Sequence, residues 1–288
     1  MSTAAGAPAA PRASRPRQGV EYWVRTAVMA VLAALVAVPL YYVVVNTFKT
    51  QAEMSSSPLA LPSRLYLDNY VEVFGTVPLV ASFANTLVIT VASVAVMLLV
   101  GAMAAYTMVV RSSRFNTVLG LCLLAAFVIP GQSTLIPLYR FLVGIGLIDT
   151  LTGLVLLYSA GSIFCYFLIQ GYMRTLPFEI IEAARIDGAG PWQIFWRIVL
   201  PLVRPILITV GVFQTMWVWN DFITPNVFLT SSANRTIVLQ VYSAVGQFST
   251  DWPSFMTLSV LAIAPVVVFF VFTQRHIVAG LIGGAVKG

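Results

Sequence analysis

Side chains that commonly carry out chemistry are scarce in this chain, which has one histidine, two cysteines and ten acidic residues among its 288. His276 follows a long apolar run, and Cys122 and Cys165 lie inside two others as expected core residues, so neither a disulfide framework nor a thiolate metal site is indicated. The apolar runs contain no carboxylate pair suited to acid–base catalysis. A GxxxxGK[ST] phosphate loop is absent, so any ATP hydrolysis would require another polypeptide. We therefore expect a chain that is not a catalyst and binds no cofactor or metal itself.

The charged residues are instead concentrated in one window. They make up 9% of the chain, yet residues 174–204 contain four arginines, two glutamates and one aspartate. At the centre of the window, residues 182–201 read EAARIDGAGPWQIFWRIVLP. Because a polar stretch between apolar runs is costly to bury in lipid, we expect this window to lie outside the membrane, where another molecule can contact it.

The first half of the window predicts a short helix. Pro177 suits a first helical turn, Glu179 lies near the positive end of the helix dipole, and the helix is expected to reach Asp187. A rotation of 100° per residue places Glu179 and Glu182 on one face and small or modest apolar side chains on another. Gly188 can adopt the positive φ that ends a helix. The expected apolar face comprises Ile180, Ile181, Ala183 and Ala184.

The second half of the window predicts an amphipathic helix that begins at Gly190 and Pro191. Its apolar residues recur at i, i+3, i+4 and i+7, and they favour a position in the headgroup zone of a membrane. Pro201 and Pro205 are expected to end this helix before the next apolar run. The apolar stripe comprises Trp192, Phe195, Trp196 and Val199.

The amino-acid composition indicates the class of protein to which this window belongs. Hydrophobic residues make up 59% of the chain, which leaves too few polar residues to cover a soluble domain of this size. Several apolar runs reach the length of about 20 residues that a helix needs to cross the hydrocarbon core. We predict an all-α polytopic membrane protein with six spans over residues 21–276. The spans are expected at about 24–45, 83–109, 115–138, 151–172, 205–222 and 254–272.

The remaining stretches are expected outside the spans. Residues 1–20 have the composition of a disordered tail, and residues 277–288 form a flexible, glycine-rich tail. Residues 46–78 predict a loop with one short helix near 68–74, where Asp68 could serve as the N-cap. Residues 140–150 form a brief polar link, and residues 224–253 are expected to lie outside the bilayer.

The sixteen Lys and Arg residues predict the orientation of the spans. Six spans put both termini on one side, and twelve of the sixteen fall in the N-terminal tail with the start of the first span, the turn after the second span, the charged window and the stretch after the sixth span. By the positive-inside rule, the termini and the window are cytoplasmic in a multi-pass protein of the cell membrane. Because the basic residues are spread over several loops, nucleic acid is not an expected partner. The four on the opposite side are Lys49, Arg64, Arg140 and Arg235.

The charged window resembles, position for position, the EAA motif of the membrane subunits of bacterial ABC importers. The motif begins with Glu182, Ala183 and Ala184, and Gly188 follows after a gap of three residues. Asp187 and Ala189 extend the match, as do Ile198, Leu200 and Pro201. The chain after residue 20 is also similar to the carbohydrate-uptake (MalG-like) branch. That similarity lies in Phe48 to Glu53, in Trp217, Trp219, Asn220, Asp221 and Phe222, and in the ending from Gly280 to Gly288.

The resemblance implies a MetI-like permease fold in which the EAA segment is a cytoplasmic coupling helix. The partners it implies are a homologous second permease, two ATPase subunits that hold ATP and Mg²⁺, and an extracytoplasmic solute-binding protein. The implied solute is a sugar or sugar-like molecule, and a polyamine, phosphate or peptide is the alternative. An ordinary solvated loop helix is the alternative for the window. The ATPase-coupling residues would be Glu182, Ala183, Ala184, Asp187, Gly188 and Ala189.

Polar residues in or near the apolar runs are candidates for a solute pathway, because polar groups in a membrane are costly unless they have a function or a partner. Each of them could instead make an interhelical hydrogen bond. For Asn220 and Asp221, a helix cap and a water-filled vestibule are equal alternatives. The candidates are Asn85, Thr86, Gln132, Ser133, Tyr158, Gln214, Asn220 and Asp221.

Overall fold

The computed structural model describes residues 19–111, 113–243, 245 and 251–285, with the backbone alone for residues 276–285. Short 3₁₀ and π segments interrupt its α-helices. The helices up to the charged window are α1 (Val20–Asn46), α2 (Gln51–Ser56), α3 (Asp68–Thr76), α4 (Leu79–Val110), α5 (Arg114–Val128), α6 (Leu135–Gly144), α7 (Leu151–Tyr158) and α8 (Ser162–Met173). The window and the remainder form α9 (Glu179–Ile186), α10 (Pro191–Ile194), a π-helical stretch (Phe195–Val199), α11 (Leu200–Leu202), α12 (Arg204–Asn220), α13 (Ile223–Phe228), α14 (Ile237–Ser243) and α15 (Trp252–Ala285).

The helices provide up to six membrane crossings in the described part of the chain. Four segments are long and apolar enough by themselves, namely α1, α4, α7 together with α8, and α15. Two more crossings exist if each of two bent helix pairs counts as one span. These pairs are α5 with Gly131–Gly144, bent by 91°, and Pro191–Leu202 with α12, bent by 74°.

The span expected over residues 115–138 is divided between two helices. α5 ends at Val128, Ile129 and Pro130 are extended, and a 3₁₀ turn then leads into α6. Pro130 accounts for the break, because it lacks an N–H group and restricts the residue before it to extended conformations. α6 continues to Gly144, so Arg140 lies on a helix and not in the polar link that we expected.

The central helix of the fold is α4, which packs against α7, α8, α12 and α14. Its buried residues include Ser93, Gly101 and Ala105, whose small side chains let the neighbouring helices approach closely. A Cβ atom added at Gly101 would lie 2.7 Å from Cβ of Cys165 on α8. Cys165 is buried, as expected, but Cys122 on α5 is exposed and is not a core residue.

The loop after α1 contains two helices and is held by buried polar groups. Lys49 is fully buried, and its Nζ donates to the carbonyl oxygens of Ser57 at 2.7 Å and Pro58 at 3.3 Å. The Asn69 amide donates to the carbonyl oxygens of Thr47 and Lys49. α3 matches the predicted helix, but Leu67 is its N-cap and Asp68 is its first residue, whereas α2 was not predicted.

Two further regions contain helical structure that was not predicted. The stretch after α12 contains α13 and α14, and α14 packs against α4 and α15. Thr86 Oγ1 accepts a hydrogen bond from the N–H of Ile237 at 2.9 Å, and Gln240 Nε2 donates to Ser82 Oγ at 3.0 Å. α15 continues to Ala285, so residues 277–285 are helical and do not form the flexible tail that their glycines suggested.

Asp149, in the turn between α6 and α7, joins that turn to the segment before α14. Its Oδ1 accepts the N–H groups of Thr230 and Ser231 at 2.9 and 3.0 Å, and its own N–H donates to the carbonyl oxygen of Phe228. Asp149 has a φ of +57°, a left-handed conformation that aspartate and asparagine adopt more readily than most other residues. The N–H of Ser231 is the main reason that the pKa of this carboxyl lies below its usual value.

We expect Asp149→Asn to lower the melting temperature at neutral pH, because the backbone is kept while the charge is lost. A carboxyl with a depressed folded pKa stabilises the protein above its unfolded pKa of about 3.9 and loses that effect as the pH falls through the folded pKa. The difference in melting temperature between wild type and variant should therefore be large at pH 7 and small near pH 3. Glu72→Gln, at an exposed position of α3, is the control and should leave the melting temperature close to that of wild type at both pH values. An equal difference at both pH values would contradict the assignment.

Candidate coupling surface and pathway residues

The charged window forms a short helix followed by a sharp bend, as predicted. α9 covers Glu179–Ile186, and Pro177 precedes it instead of lying in its first turn. The N–H of Gly188 donates to the carbonyl oxygen of Arg185, and the N–H of Ala189 donates to that of Ala184, both at 3.0 Å. These two bonds form a Schellman motif, which requires the left-handed conformation that Gly188 adopts with φ +82°.

The faces of α9 differ from the helical-wheel prediction. Ile181 and Ala184 are buried in the main core, whereas Ile180 and Ala183 are exposed, so these four residues do not share one face. The other exposed residues of the helix and its C-cap include Glu182, Ala183, Ile186 and Asp187. Ile186 is 86% exposed, a large apolar side chain presented beside two carboxylates.

The segment after the bend is a continuous rod made of α10, the π-helical stretch and α11. Pro201 lies inside its last turn and does not end it, and the chain turns at Val203 into α12. The aromatic stripe divides, because Phe195 and Val199 are buried while Trp192 and Trp196 are 63% and 47% exposed. Phe195 and Val199 are the buried pair because the rod packs against α4, where the centre of the Tyr106 ring lies 5.6 Å from that of the Phe195 ring.

Tyr158 and Asp221 are the two pathway candidates that the structure brings into direct contact. The buried Tyr158 hydroxyl donates to Asp221 Oδ2 at 2.9 Å, and its ring lies edge-on to Trp217. Asp221 Oδ1 accepts the N–H groups of Ile223 and Thr224 at 2.9 and 3.4 Å. Asp221 therefore caps the start of α13, whereas the cap that we expected was at the end of the fifth span.

The other candidates lie apart from this pair. Asn85 donates to the carbonyl oxygens of Ala233 and Arg235, and the buried Gln214 side chain contacts Met97 Sδ at 2.9 Å. Asn220 is exposed, and its amide donates to a carbonyl oxygen of its own helix. Gln132 is exposed in the 3₁₀ turn after Pro130. Most of these groups make interhelical or local hydrogen bonds. An interhelical hydrogen bond was the alternative to a place in the solute pathway for each of them.

Three residues acquire a notable position only in the structure, namely the buried Lys49, the loop-joining Asp149 and the exposed Ile186. Lys49 stands in a polar loop, where a lysine is normally solvated, and nothing in its neighbours indicates complete burial. Asp149 precedes Thr150, which caps α7, so a turn was identifiable but its distant partners were not. Ile186 was identifiable as the apolar residue next to the bend.

Comparison with known proteins identifies the family. Residues 20–283 match the family model of the binding-protein-dependent transport system inner membrane component. The starch degradation products transport permease AmyC of Thermoanaerobacterium thermosulfurigenes is 35% identical over 93% of this chain and 98% of its own. The melibiose/raffinose/stachyose import permease MelC of Bacillus subtilis is 32% identical over 91% of this chain and 96% of its own.

Among solved structures, a bacterial ABC transporter involved in the import of the acidic polysaccharide alginate shares the fold. It has a TM-score of 0.80 at 21% identity, and the match covers 92% of this chain and 99% of that chain. The family match and the two relatives together cover nearly all of the described helices. The chain belongs to the family of binding-protein-dependent transport system inner membrane components, whose members are transport permeases and not enzymes.

Proposed function

We propose that this chain is one permease subunit of an ATP-driven ABC importer and that it carries a sugar or sugar-like solute, such as an oligosaccharide. The observation that supports the solute class is the set of substrates in the names of the relatives. AmyC and MelC are named for starch products and for melibiose, raffinose and stachyose, and each match covers more than nine-tenths of this chain. A shared fold alone would not support a solute class.

The chain forms half of the pathway in this proposal. A homologous second permease lines the other half, two ATPase subunits bind ATP and Mg²⁺, and an extracytoplasmic binding protein delivers the solute. Its termini and α9 face the cytoplasm. The distribution of Lys and Arg supports this orientation, since Arg111 and Arg185 line one cavity at the end of the molecule where α9 lies.

In this arrangement α9 is the coupling helix. Glu182, Ala183 and Asp187 contact the ATPase, together with the exposed Ile186, while Ala184, Gly188 and Ala189 maintain the bend. The buried faces of α9, α4 and α8 share one hydrophobic cluster, so a movement of α9 is transmitted through packed side chains. Packed elements of this kind move as rigid bodies, which suits the transmission of ATPase closure to the spans.

The pathway residues are Asn85, Gln132, Tyr158, Gln214, Asn220 and Asp221. Among these, Asn220 and Gln132 have exposed side chains and are the ones positioned to meet solute in water. Tyr158 and Asp221 make a partly buried hydrogen bond and act by holding the end of α12 and the exposed Trp217 ring in position. Sugars commonly contact aromatic faces and amide groups, which Trp217 and Asn220 supply.

The test of the coupling surface is Glu182→Lys in the assembled transporter. Reversing this exposed charge should weaken ATPase binding, and we expect at least about a tenfold loss of ATP-dependent uptake, as for removal of a charge-assisted contact. The measurements are co-purification of the ATPase and solute uptake into proteoliposomes. Glu72→Lys on α3 is the matched control and should retain both. Full co-purification and uptake by Glu182→Lys would contradict the proposed surface.

The solute class has its own experiment. Proteoliposomes that contain the complete transporter and its binding protein are supplied with labelled oligosaccharides, polyamine, phosphate or peptide in parallel. Saccharide uptake that requires ATP is the expected result. Uptake of one of the other solutes in its place would leave the permease assignment intact and contradict the sugar assignment.

A further inference from the structure

A groove lies between the ends of α4, α5 and α8, next to the charged window. It has a volume of about 440 Å³ and is separate from the outer face of α9. Its mouth contains Arg111 at the end of α4 and Arg174 at the end of α8. Both arginines are exposed, and the only ion pair in the described residues is that of Glu21 and Arg25. Two arginines without a carboxylate partner therefore line the same groove.

The mouth of the groove is also built from preformed polar groups. Ser113 caps α5 by accepting the N–H of Asn116 at 3.1 Å, and the Asn116 amide donates to the carbonyl oxygens of Arg111 and Thr107. The first turn of α5 is thus tied to the end of α4. The positive end of the α5 dipole points towards the same opening, which favours an anion there.

Below the mouth the groove becomes apolar. Its walls there include Leu121 and Leu124 of α5 and Phe167 of α8. Leu124 lies seven residues beyond Thr117, or about 10 Å deeper along the helix. Leu121 and Leu124 are 61% and 48% exposed, and no residue of α5 is buried, so this wall is open towards the bilayer.

We propose that this groove binds an anionic phospholipid, with the phosphate between Arg111 and Arg174 and an acyl chain along Leu121, Leu124 and Phe167. A free anion would satisfy the arginines but leave the apolar wall unused. An acidic side chain of a protein partner would approach from the water and would not reach the wall inside the membrane. Basic pockets between transmembrane helices are a common form of anionic lipid site.

The site adjoins the coupling segment. Arg111 also lines a neighbouring cavity of about 330 Å³ together with Arg185 and Ala189, which flank the bend after α9. A bound lipid phosphate therefore stabilises the end of α4 beside this bend. The proposal does not depend on the solute or on the ATPase contact, and it is tested by lipid binding.

The test uses the full-length chain in nanodiscs of phosphatidylcholine, with and without phosphatidylglycerol. Native mass spectrometry measures how much phosphatidylglycerol stays bound. The amount bound to the double variant Arg111→Gln/Arg174→Gln should be at least about tenfold lower than for wild type, since two charge-assisted contacts are lost. Phosphatidylglycerol should raise the melting temperature of wild type but not of the variant. The double variant Arg64→Gln/Arg140→Gln removes the same charge elsewhere and should behave as wild type.

A second variant covers the case in which the arginine variant fails to fold. Leu124→Trp fills the acyl half of the groove on an exposed helix face and should cause the same loss of lipid while both arginines remain. Wild-type lipid retention in either folded variant would overturn the proposal. Inorganic phosphate that reproduces the stabilisation in pure phosphatidylcholine would indicate a free-anion site instead. In the assembled transporter, loss of the ATPase from the arginine variant in pure phosphatidylcholine would indicate a protein contact instead.

Discussion

Replacing Gly188 with valine is expected to abolish solute-stimulated ATP hydrolysis by the assembled transporter while the chain remains in the membrane. Gly188 has φ +82°, and a left-handed conformation costs residues with a Cβ about 1–2 kcal/mol, with a further penalty for β-branched side chains. A Cβ atom at this position would meet no heavy atom within 4 Å, so the chain has room for it. The loss of stimulated ATP hydrolysis would come from a changed direction of the backbone after α9 and from the side chain added at the coupling surface.

Gly188→Asn is the matched control for this prediction. Asparagine tolerates the left-handed conformation, so the Schellman bonds of Gly188 and Ala189 should persist. We expect this variant to keep a substantial part of the stimulated activity, measured as ATP hydrolysis with and without solute-loaded binding protein. Undiminished coupling in Gly188→Val would contradict the role of the bend. Equal loss in both variants would show that added bulk matters and the backbone conformation does not.

The largest effect on stability is expected from Gly101→Val. A Cβ atom at Gly101 would lie 2.7 Å from Cβ of Cys165 and 3.0 Å from the backbone nitrogen of Tyr166. Neither atom is the end of a flexible side chain, so α4 and α8 would have to separate. Overpacking of this kind typically costs about 1–3 kcal/mol, and a contact with backbone places this variant at the upper end. The measurements are the yield in the membrane and the melting temperature in detergent.

Gly171→Val provides the comparison, because Gly171 lies on α8 and an added Cβ there would meet nothing within 4 Å. Both variants replace a helical glycine with the same β-branched residue, so a change in intrinsic helix preference is present in both. We expect a near-wild-type melting temperature for Gly171→Val and a strong decrease for Gly101→Val. Similar values for the two variants would contradict the close approach of α4 and α8.

The charged window shows how far local sequence patterns lead. Gly188 and the residues before it were sufficient to predict a helix with a sharp end, since glycine adopts φ +82° without the steric cost of a Cβ atom. The same periodicity gave the wrong face for Ile180 and Ala183. The eight residues of α9 place apolar side chains on more than one face of the helix, and contact with α4 and α8 decides which face is buried.

The membrane spans also combine features that the sequence predicted with features that it did not. Long apolar runs predicted α1, α4 and α15 because crossing a hydrocarbon core requires about 20 apolar residues. The 91° bend after α5 was not predicted, although Pro130 marks the place where a helix is weakest. The glycines near the end of α15 suggested flexibility, yet the helix continues through them.

The sequence by itself determined the membrane class, the approximate spans, the short helix with its bend and the resemblance to importer permeases. These features depend on composition, on residue spacing and on the conformational freedom of single residues. Only the tertiary structure decided which side of α9 is exposed, that Asp221 bonds Tyr158, and that Arg111 and Arg174 share one groove. The physical reason is that each of these contacts joins residues far apart in the chain, and only the packing of the helices brings them together.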